Sequence, residues 1–294
     1  MKRNPKPAET KISGYIELTK PNITFLIVVS TALGYYLGAN GAVRLDILAY
    51  TLIGSIFVSS GTGALNHYAE EATDKLMNRT RSRPIPTGLI LSKNAMIFGI
   101  ILVLIGTIFL SVSVNHLTAI LALLTTLLYL FIYTPLKRIT WLNTSIGAIP
   151  GSLPPVGGWV AATGTLDPEA WVLFAILFFW QHPHFFSIAF MCKDDYARAK
   201  LKMLPVMEDD GRRTNRQIIW HSLLLIPVSI MPSYMGLLGP IYFWGSFVLG
   251  ILYLLSGIPL VRNYSLKNAT LLLRASVFYL PVLFLIIMID SMIF

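Results

Sequence analysis

Three oxygen-bearing side chains, Asn66, Glu70 and Asp74, recur every four residues in the stretch GALNHYAEEATDKLMNRTRSRPIPTG. On a helix of 3.6 residues per turn that spacing drifts only about 40° per step, so all three line one stripe. An amide and two carboxylates on one stripe suit a hard divalent cation. Mg2+ takes such ligands and keeps positions open for substrate phosphates. Arg79, Arg81 and Arg83 follow at once, and a guanidinium matches phosphate oxygens bidentately. Carboxylates for a metal beside guanidiniums for an anion describe a metal–diphosphate site. The bland alternative is a helix end carrying ordinary interfacial charges. Glu71 breaks the stripe and is expected to face solvent or a basic neighbour. His67 points off the stripe and is expected to make a local hydrogen bond.

A second cluster lies in WQHPHFFSIAFMCKDDYARAKLKMLPV: the acids Asp194 and Asp195, the ring of Tyr196, and the bases Lys193, Arg198, Lys200 and Lys202. Lys137 and Arg138, after YTPL, supply further cations for a phosphate. The run Glu208, Asp209, Asp210 is followed by Arg212 and Arg213 and reads as a solvated loop. His182 and His184 fall in the middle of an apolar segment, where polar groups are costly and tend to be functional. Residues two apart on a helix point about 200° from each other, so the two face one site only if Pro183 distorts the backbone. Either can ligate haem iron, donate a hydrogen bond, or satisfy a kinked backbone. Cys192, the one cysteine, excludes an internal disulfide and any multi-cysteine metal site.

These clusters must be carried by membrane helices. Of the 294 residues, 55% are hydrophobic and 13% charged, and mean hydropathy is +0.66; a soluble domain carries roughly twice that charged fraction. Apolar runs suited to crossings of about 20 residues fall near residues 23–39, 45–65, 95–112, 117–133, 145–162, 170–191, 218–237, 241–260 and 269–289. With the N-terminus inside, nine spans place every Lys and Arg except Arg44, out of 23, on the inner side. An even number of spans scrambles that partition. The chain is therefore expected to be an all-α membrane protein of about nine transmembrane helices, N-terminus cytoplasmic and C-terminus outside. Both acid clusters then leave the membrane on the cytoplasmic face. Residues 1–20 read as a cytoplasmic N-terminal arm and 21–294 as a single membrane domain. The arm has neither the cleavage site of a signal peptide nor the composition of a mitochondrial transit peptide, which suits a multi-pass protein of a bacterial inner membrane. The net charge of +9 fits this topology and anionic lipid, with no nucleic acid needed. The segment GAIPGSLPPVGGW is not expected to stay a regular helix throughout; irregular backbone at membrane depth is tolerated where it borders a cavity.

The motifs, in order, resemble those of the UbiA-type intramembrane prenyltransferases, and among them the branch that alkylates haem. The family pattern of Asn, acid and Asp at four-residue spacing followed by Arg-Thr-x-x-Arg-Pro is matched by Asn66, Glu70, Asp74, Arg79-Thr80 and Arg83-Pro84. The narrower signature is matched by Tyr133-Thr134 with Lys137-Arg138, the stretch from Gly147 through Pro154-Pro155 to Gly158-Trp159, Trp180-Gln181 with Pro183-His184, Asp195-Tyr196 and Met203-Leu204-Pro205. Glu70 replaces the commoner Asp and keeps the ligand chemistry. Lys200 and Lys202 stand where the haem branch often has a small residue and a proline. Arg198 stands where the broader superfamily has an acid, which leaves the number of metal ions open.

The resemblance implies a UbiA-like bundle that transfers farnesyl from farnesyl diphosphate to a vinyl group of haem B, the substrate. Mg2+ is implied on Asn66, Glu70 and Asp74, with Asp194 and Asp195 as the second acid set. Arg79, Arg83, Lys137, Arg138 and Lys193 are implied to neutralise the leaving diphosphate, and the prenyl chain to lie between helices in the lipid bilayer. His184 is implied near the haem, with His182, Trp180, Gln181 and Tyr196 in its surroundings, and a haem A synthase is a candidate downstream partner. A sister enzyme that prenylates a quinone precursor or a chlorophyll-type ring shares the metal stripe and differs at the acceptor. A secondary transporter would place coupling acids near mid-membrane, and the one candidate is Asp290, near the end of the last segment. A non-catalytic haem carrier would need the histidines and not the stripe. Asp74→Asn is expected nearly to abolish prenyl transfer while the protein still inserts. Unchanged product in membranes carrying that variant would count against a metal on this stripe.

Overall fold

The computed structural model describes residue 8 and residues 10–293; Lys2, Arg3 and Lys6 of the N-terminal arm lie outside the described residues. Among these residues every regular element is helical: α1 (Lys11–Leu18), α2 (Pro21–Ala39), α3 (Leu45–Ala69), α4 (Glu71–Asp74), α5 (Ser92–Ser113), α6 (His116–Leu127), α7 (Thr134–Leu136), α8 (Asn143–Thr163), α9 (Pro168–Met191), α10 (Lys193–Arg198), α11 (Leu204–Met207), α12 (Arg212–Tyr234), α13 (Pro240–Arg262) and α14 (Leu266–Ser291). A π-helical turn, Leu128–Tyr133, joins α6 to α7. Each of the nine apolar segments is helical. Seven helical stretches are long and apolar enough to cross a membrane, α1 and α2 together forming one (Lys11–Ala39) and His116–Leu136 another. The two that fall short are α8, diluted by glycine and proline, and α12, which opens on three arginines within five residues.

The chain forms two compact units. One comprises residues up to 139 with 153–166 and 194–201; the other comprises 140–152, 167–193 and 202 onward. In the first unit α3 packs along α5. Gly54 and Gly61 on α3 and Gly99 and Gly106 on α5 are each spaced by seven, so each pair lines one stripe. A methyl added at any of the four would come within 3.0 Å of the facing helix. In a bilayer lipid is as apolar as leucine, so such close backbone approach, rather than hydrophobic burial, holds helices together. The expected arm is in part the helix α1, begun by a Thr10–Ser13 capping box. Its Leu18 is buried with Ala64, Ile85, Ile90 and Ala95.

The proline-rich segment departs from expectation: α8 is helical from Asn143 to Thr163. Proline's fixed φ is itself helical, so its penalty is a missing N–H and crowding against the preceding turn. Close packing offsets that penalty. A Cβ on Gly34 of α2 would sit 1.9 Å from the Pro155 carbonyl oxygen, and one on Gly158 of α8 would sit 1.9 Å from that of Thr31. Two backbones therefore meet where the prolines lie, which leaves no room for the helix to unwind.

The second unit is a bundle of α9, α12, α13 and α14 with the first part of α8. Its core mixes leucines and isoleucines with the fully buried rings of Tyr242, Tyr253 and Tyr279. Ser229 and Tyr279 share a hydrogen bond of 2.8 Å. Asp290 is buried at the start of α13, where it accepts from the backbone N–H groups of Gly239 (2.5 Å) and Tyr242 (3.0 Å). A carboxylate there satisfies orphan donors and the positive end of the helix dipole. Its place is thus that of a cap, not of a mid-membrane coupling acid.

The adjacent glycines of α8 give a matched test. Gly158→Ala is expected to cost about 2 kcal/mol or more, as overpacking against backbone does, and to lower the thermal midpoint in detergent. Gly157→Ala, where an added methyl meets nothing within 4 Å, is expected to leave that midpoint unchanged.

Candidate functional site

The stripe is assembled at the end of α3. That helix stops at Ala69, and Glu70 caps it at φ −97°, ψ 5° before α4 begins. The backbone bonds Glu70 N–H to Asn66 O (2.9 Å) and Asp74 N–H to Glu70 O (2.8 Å) carry the four-residue register through the break, so the stripe survives it. Asn66 and Asp74 are buried. Glu71 turns outward to Lys75 at 2.7 Å, as its position off the stripe predicts.

A cation sits on each of the three oxygen groups. Lys20 donates to Asn66 Oδ1, Lys137 to Glu70 Oε1 at 2.6 Å, and Arg83 to Asp74 Oδ2 at 2.7 Å. Lys20 was read from the sequence only as one of the arm's positive charges. Its available signals were its place directly before Pro21 and at the last position of the arm. It caps α2 in the left-handed conformation, φ 49°, which is uncommon outside glycine and clusters at functional sites. Lys137 is delivered by the π turn, which inserts an extra residue into the helical path. Thr134 Oγ1 then donates back to Tyr129 O at 2.9 Å, Asn66 Nδ2 lies 3.4 Å from Thr134 Oγ1, and Lys137 Nζ rests 4.3 Å from the centre of the Tyr133 ring. Arg83 is delivered by a loop that folds back on α4, with buried Thr80 donating to Asp74 O at 2.9 Å.

The electrostatics follow from burial set against these partners. Burial alone would push the Glu70 carboxyl up, but Lys137, Lys20 and Arg83 overcome it and hold the group at about 2. Burial also works against the charge on Lys137, and Glu70 reverses it, raising that ammonium well above its ordinary range. At Asp74 burial wins: the carboxyl is raised despite Arg83. Three basic side chains face two carboxylates and an amide there, a setting that favours an anion.

The second acid pair divides in its roles. Asp194 is exposed. Asp195 accepts from the backbone N–H groups of Asn78 (3.0 Å) and Arg79 (3.3 Å) and pairs with Arg198. It therefore clamps the arginine loop that follows α4. Arg79 is exposed and lies 5.9 Å from the centre of the Tyr196 ring, so Tyr196 stands beside this loop. Arg138 is exposed as well. Lys193 belongs to the second unit, where it donates to Glu208 O at 3.2 Å and lies 3.9 Å from Asp209. Two readings are corrected. Glu208 is not a solvated loop acid, because it accepts from Arg213 N (2.9 Å), Thr214 N (2.8 Å) and Thr214 Oγ1 (2.5 Å) and caps α12. His67 is buried, and its Nδ1 has no hydrogen-bond partner among the described residues, because packing rather than polar contact fixes it.

The histidines of the second unit point apart, as their spacing predicts. His182 faces α8 and α12, with Nδ1 2.7 Å from Phe178 O, Nε2 3.0 Å from Ser145 Oγ, and its ring stacked on His221 at 3.7 Å. His184 faces α14, with Nδ1 2.7 Å from Ser276 Oγ. Gln181 is buried and donates to Ser152 Oγ (2.7 Å) and Leu177 O (3.0 Å). Trp180 Nε1 donates to Ser276 O at 3.0 Å.

The stripe fits a magnesium ion by its chemistry. Among the described residues no three His, Cys, Asp or Glu side chains cluster; the stripe offers two carboxylates and an amide, which is enough for an ion that completes its shell with water and phosphate. Asp74 Oδ1 is buried without a hydrogen-bond partner among the described residues, an acceptor that a cation would satisfy.

The chain is similar to known proteins along nearly its whole length. The sequence pattern of the UbiA prenyltransferase family matches residues 27–282. The chain is 46% identical to the protoheme IX farnesyltransferase of Solibacter usitatus over 94% of its length and 98% of that protein's. It is 43% identical to that of Koribacter versatilis, over 97% and 96%. Among solved structures, digeranylgeranylglyceryl phosphate synthase shares the fold at TM-score 0.80 and 17% identity, covering 96% of this chain and 98% of that one. A UbiA homolog from Archaeoglobus fulgidus bound to DMAPP and Mg2+ shares it at TM-score 0.65 and 17% identity, covering 94% and 99%.

Lys20→Met removes one charge-assisted contact, worth about 1.5–3 kcal/mol. It is expected to weaken binding of inorganic diphosphate in the presence of Mg2+ by about tenfold or more, measured by calorimetry. Lys75→Met, whose amine pairs outside the stripe, is expected to leave that affinity unchanged.

Proposed function

Because the chain belongs to the UbiA prenyltransferase family, we propose that it transfers the farnesyl group of farnesyl diphosphate to a vinyl group of haem B, giving haem O and diphosphate. The observation that carries the donor half is the buried array in which Lys20, Lys137 and Arg83 each hold one oxygen group of the Asn66–Glu70–Asp74 stripe. The acceptor half is supported by relatives at 46% and 43% identity that are named protoheme IX farnesyltransferases.

Asn66, Glu70 and Asp74 would hold Mg2+, which when bound supplies positive charge to the diphosphate and makes it a better leaving group. The three cations then exchange their carboxylate and amide partners for phosphate oxygens. Such preorganised charge is the main catalytic lever for a departing anion. Arg79 adds a second guanidinium from the loop that Asp195 clamps, exposed Arg138 and Asp194 extend the polar rim, and Lys193 is proposed as a further cation for the diphosphate. The C–O bond of the donor breaks and its electron pair leaves with diphosphate. The vinyl π pair attacks the allylic carbon, water adds to the resulting cation, and a proton is lost to solvent. His184, His182, Trp180 and Gln181 are assigned to the haem side, and Tyr196 to the arginine loop. The reaction is placed on the cytoplasmic face of a bacterial inner membrane, N-terminus in and C-terminus out, by the lysine and arginine distribution. A haem A synthase is the natural consumer of the product.

The test is expression of the chain in a membrane that makes haem B but no haem O, followed by solvent extraction and mass spectrometry. Haem carrying one farnesyl and one added water is the expected product. Unaltered haem B would overturn the acceptor assignment, and a prenylated quinone precursor in the same extract would favour the sister reading.

A further inference from the structure

We propose that Ser276 is a positioning residue for the acceptor: it fixes His184 in the tautomer whose Nε2 bears a lone pair, and that nitrogen ligates the iron of the haem substrate. The inference rests on the haem reading above. Its basis is a proton count. Ser276 is fully buried on α14, and its Oγ lies 2.6 Å from Leu273 O. A carbonyl oxygen can only accept, so the single hydroxyl proton is committed there. The same Oγ lies 2.7 Å from His184 Nδ1 and has only acceptor capacity left for it. Nδ1 must carry the ring proton, and Nε2 is left with its lone pair. Among the described residues no hydrogen bond reaches Nε2, and His184 is only half-buried. A neutral imidazole whose Nδ1–H is held by an oxygen acceptor while Nε2 stays open has the arrangement typical of metal-ligating histidines.

Ser276 also holds the neighbouring ring. Its backbone oxygen accepts from Trp180 Nε1 at 3.0 Å, and Trp180 stacks on His184 with centroids 5.0 Å apart and planes 21° from parallel. Tyr253 OH donates to Trp180 O at 3.1 Å and fixes that backbone. One residue thus orients two flat aromatic groups.

His182 cannot serve in this way. Its Nδ1 donates to Phe178 O and its Nε2 accepts from Ser145 Oγ, so both nitrogens are committed. His221 is the competitor: Nδ1 lies 2.7 Å from Gln217 O, which leaves its Nε2 open. Its orientation is set by its own helix and by stacking on His182, without a residue that aligns a second ring beside it.

The experiment uses the full chain in lipid nanodiscs, titrated with ferric haem B, with the absorption spectrum as readout. The wild type is expected to show the Soret shift of a histidine-ligated haem. His184→Ala should abolish that shift, and added imidazole should restore it. Ser276→Ala should weaken haem affinity about tenfold or more and lower the ligated fraction, while leaving affinity for inorganic diphosphate with Mg2+ unchanged. Ser276→Thr, which keeps the hydroxyl, should recover the wild-type spectrum, and His221→Gln should not alter it. A wild-type shift that persists in His184→Ala, or that disappears in His221→Gln, overturns the assignment of the ligand. A wild type that binds haem with no shift overturns ligation outright. Equal affinity and spectrum in Ser276→Ala overturn the positioning role. Any of these with farnesylated haem still formed by the wild type leaves the haem reading standing; absence of that product defeats the haem reading itself.

Discussion

The first unit is organised by the need to keep two carboxylates and three cations stable away from water. Taking an ion out of water costs several kcal/mol even after relaxation, and mutual attraction offsets this only when geometry and hydrogen bonds are good. Glu70 and Lys137 are only 15% and 13% exposed at the side chain, and Asp74 is not exposed at all. Each charge is consequently tied to an opposite or polar partner, and each tie fixes a separate piece of chain: the junction of α1 and α2, the turn after α6, and the arginine loop after α4. Removing one member leaves the others buried and unpaired. Basic side chains outnumber carboxylates in this cluster, so a magnesium–diphosphate pair, which brings net negative charge, can replace these internal ties without leaving a bare ion.

Three breaks in regular backbone lie where this array is built. Glu70 breaks α3, the π turn shifts the register before Lys137, and Lys20 takes a left-handed conformation. π turns and non-glycine residues at positive φ gather at functional sites because the surrounding packing must over-determine them. Here that packing is the close-set seam of α3 with α5 and of α2 with α8, in which glycines admit backbone-to-backbone contact. Rigid helices thereby hold three deviations that none of the segments would adopt alone.

In the second unit the same accounting is made with neutral groups. Side-chain donors turn to their own helix: Gln181 to Leu177 O, His182 to Phe178 O, His221 to Gln217 O. In an apolar bundle an unmet polar group is costly, and each of these three donors meets a carbonyl oxygen of its own helix.

Much of this was legible in the residues. The apolar runs and the placement of lysine and arginine gave the helices, the four-residue spacing gave the stripe, and the two-residue spacing of His182 and His184 gave their divergence. These depend on local periodicity, which a helix converts directly into direction. Lys20 was not legible as a site residue, because its role depends on contact with Asn66, 46 positions away. Nor was the clamping role of Asp195, whose partners are backbone N–H groups more than a hundred residues earlier. The regular helix of α8 was hidden as well, because proline and glycine content reports local cost and not the packing that offsets it. The sequence by itself thus determined which residue types share a helix face. Only the tertiary structure decided which cation meets which oxygen and which nitrogen keeps its lone pair, since those depend on distances between segments that no local pattern encodes.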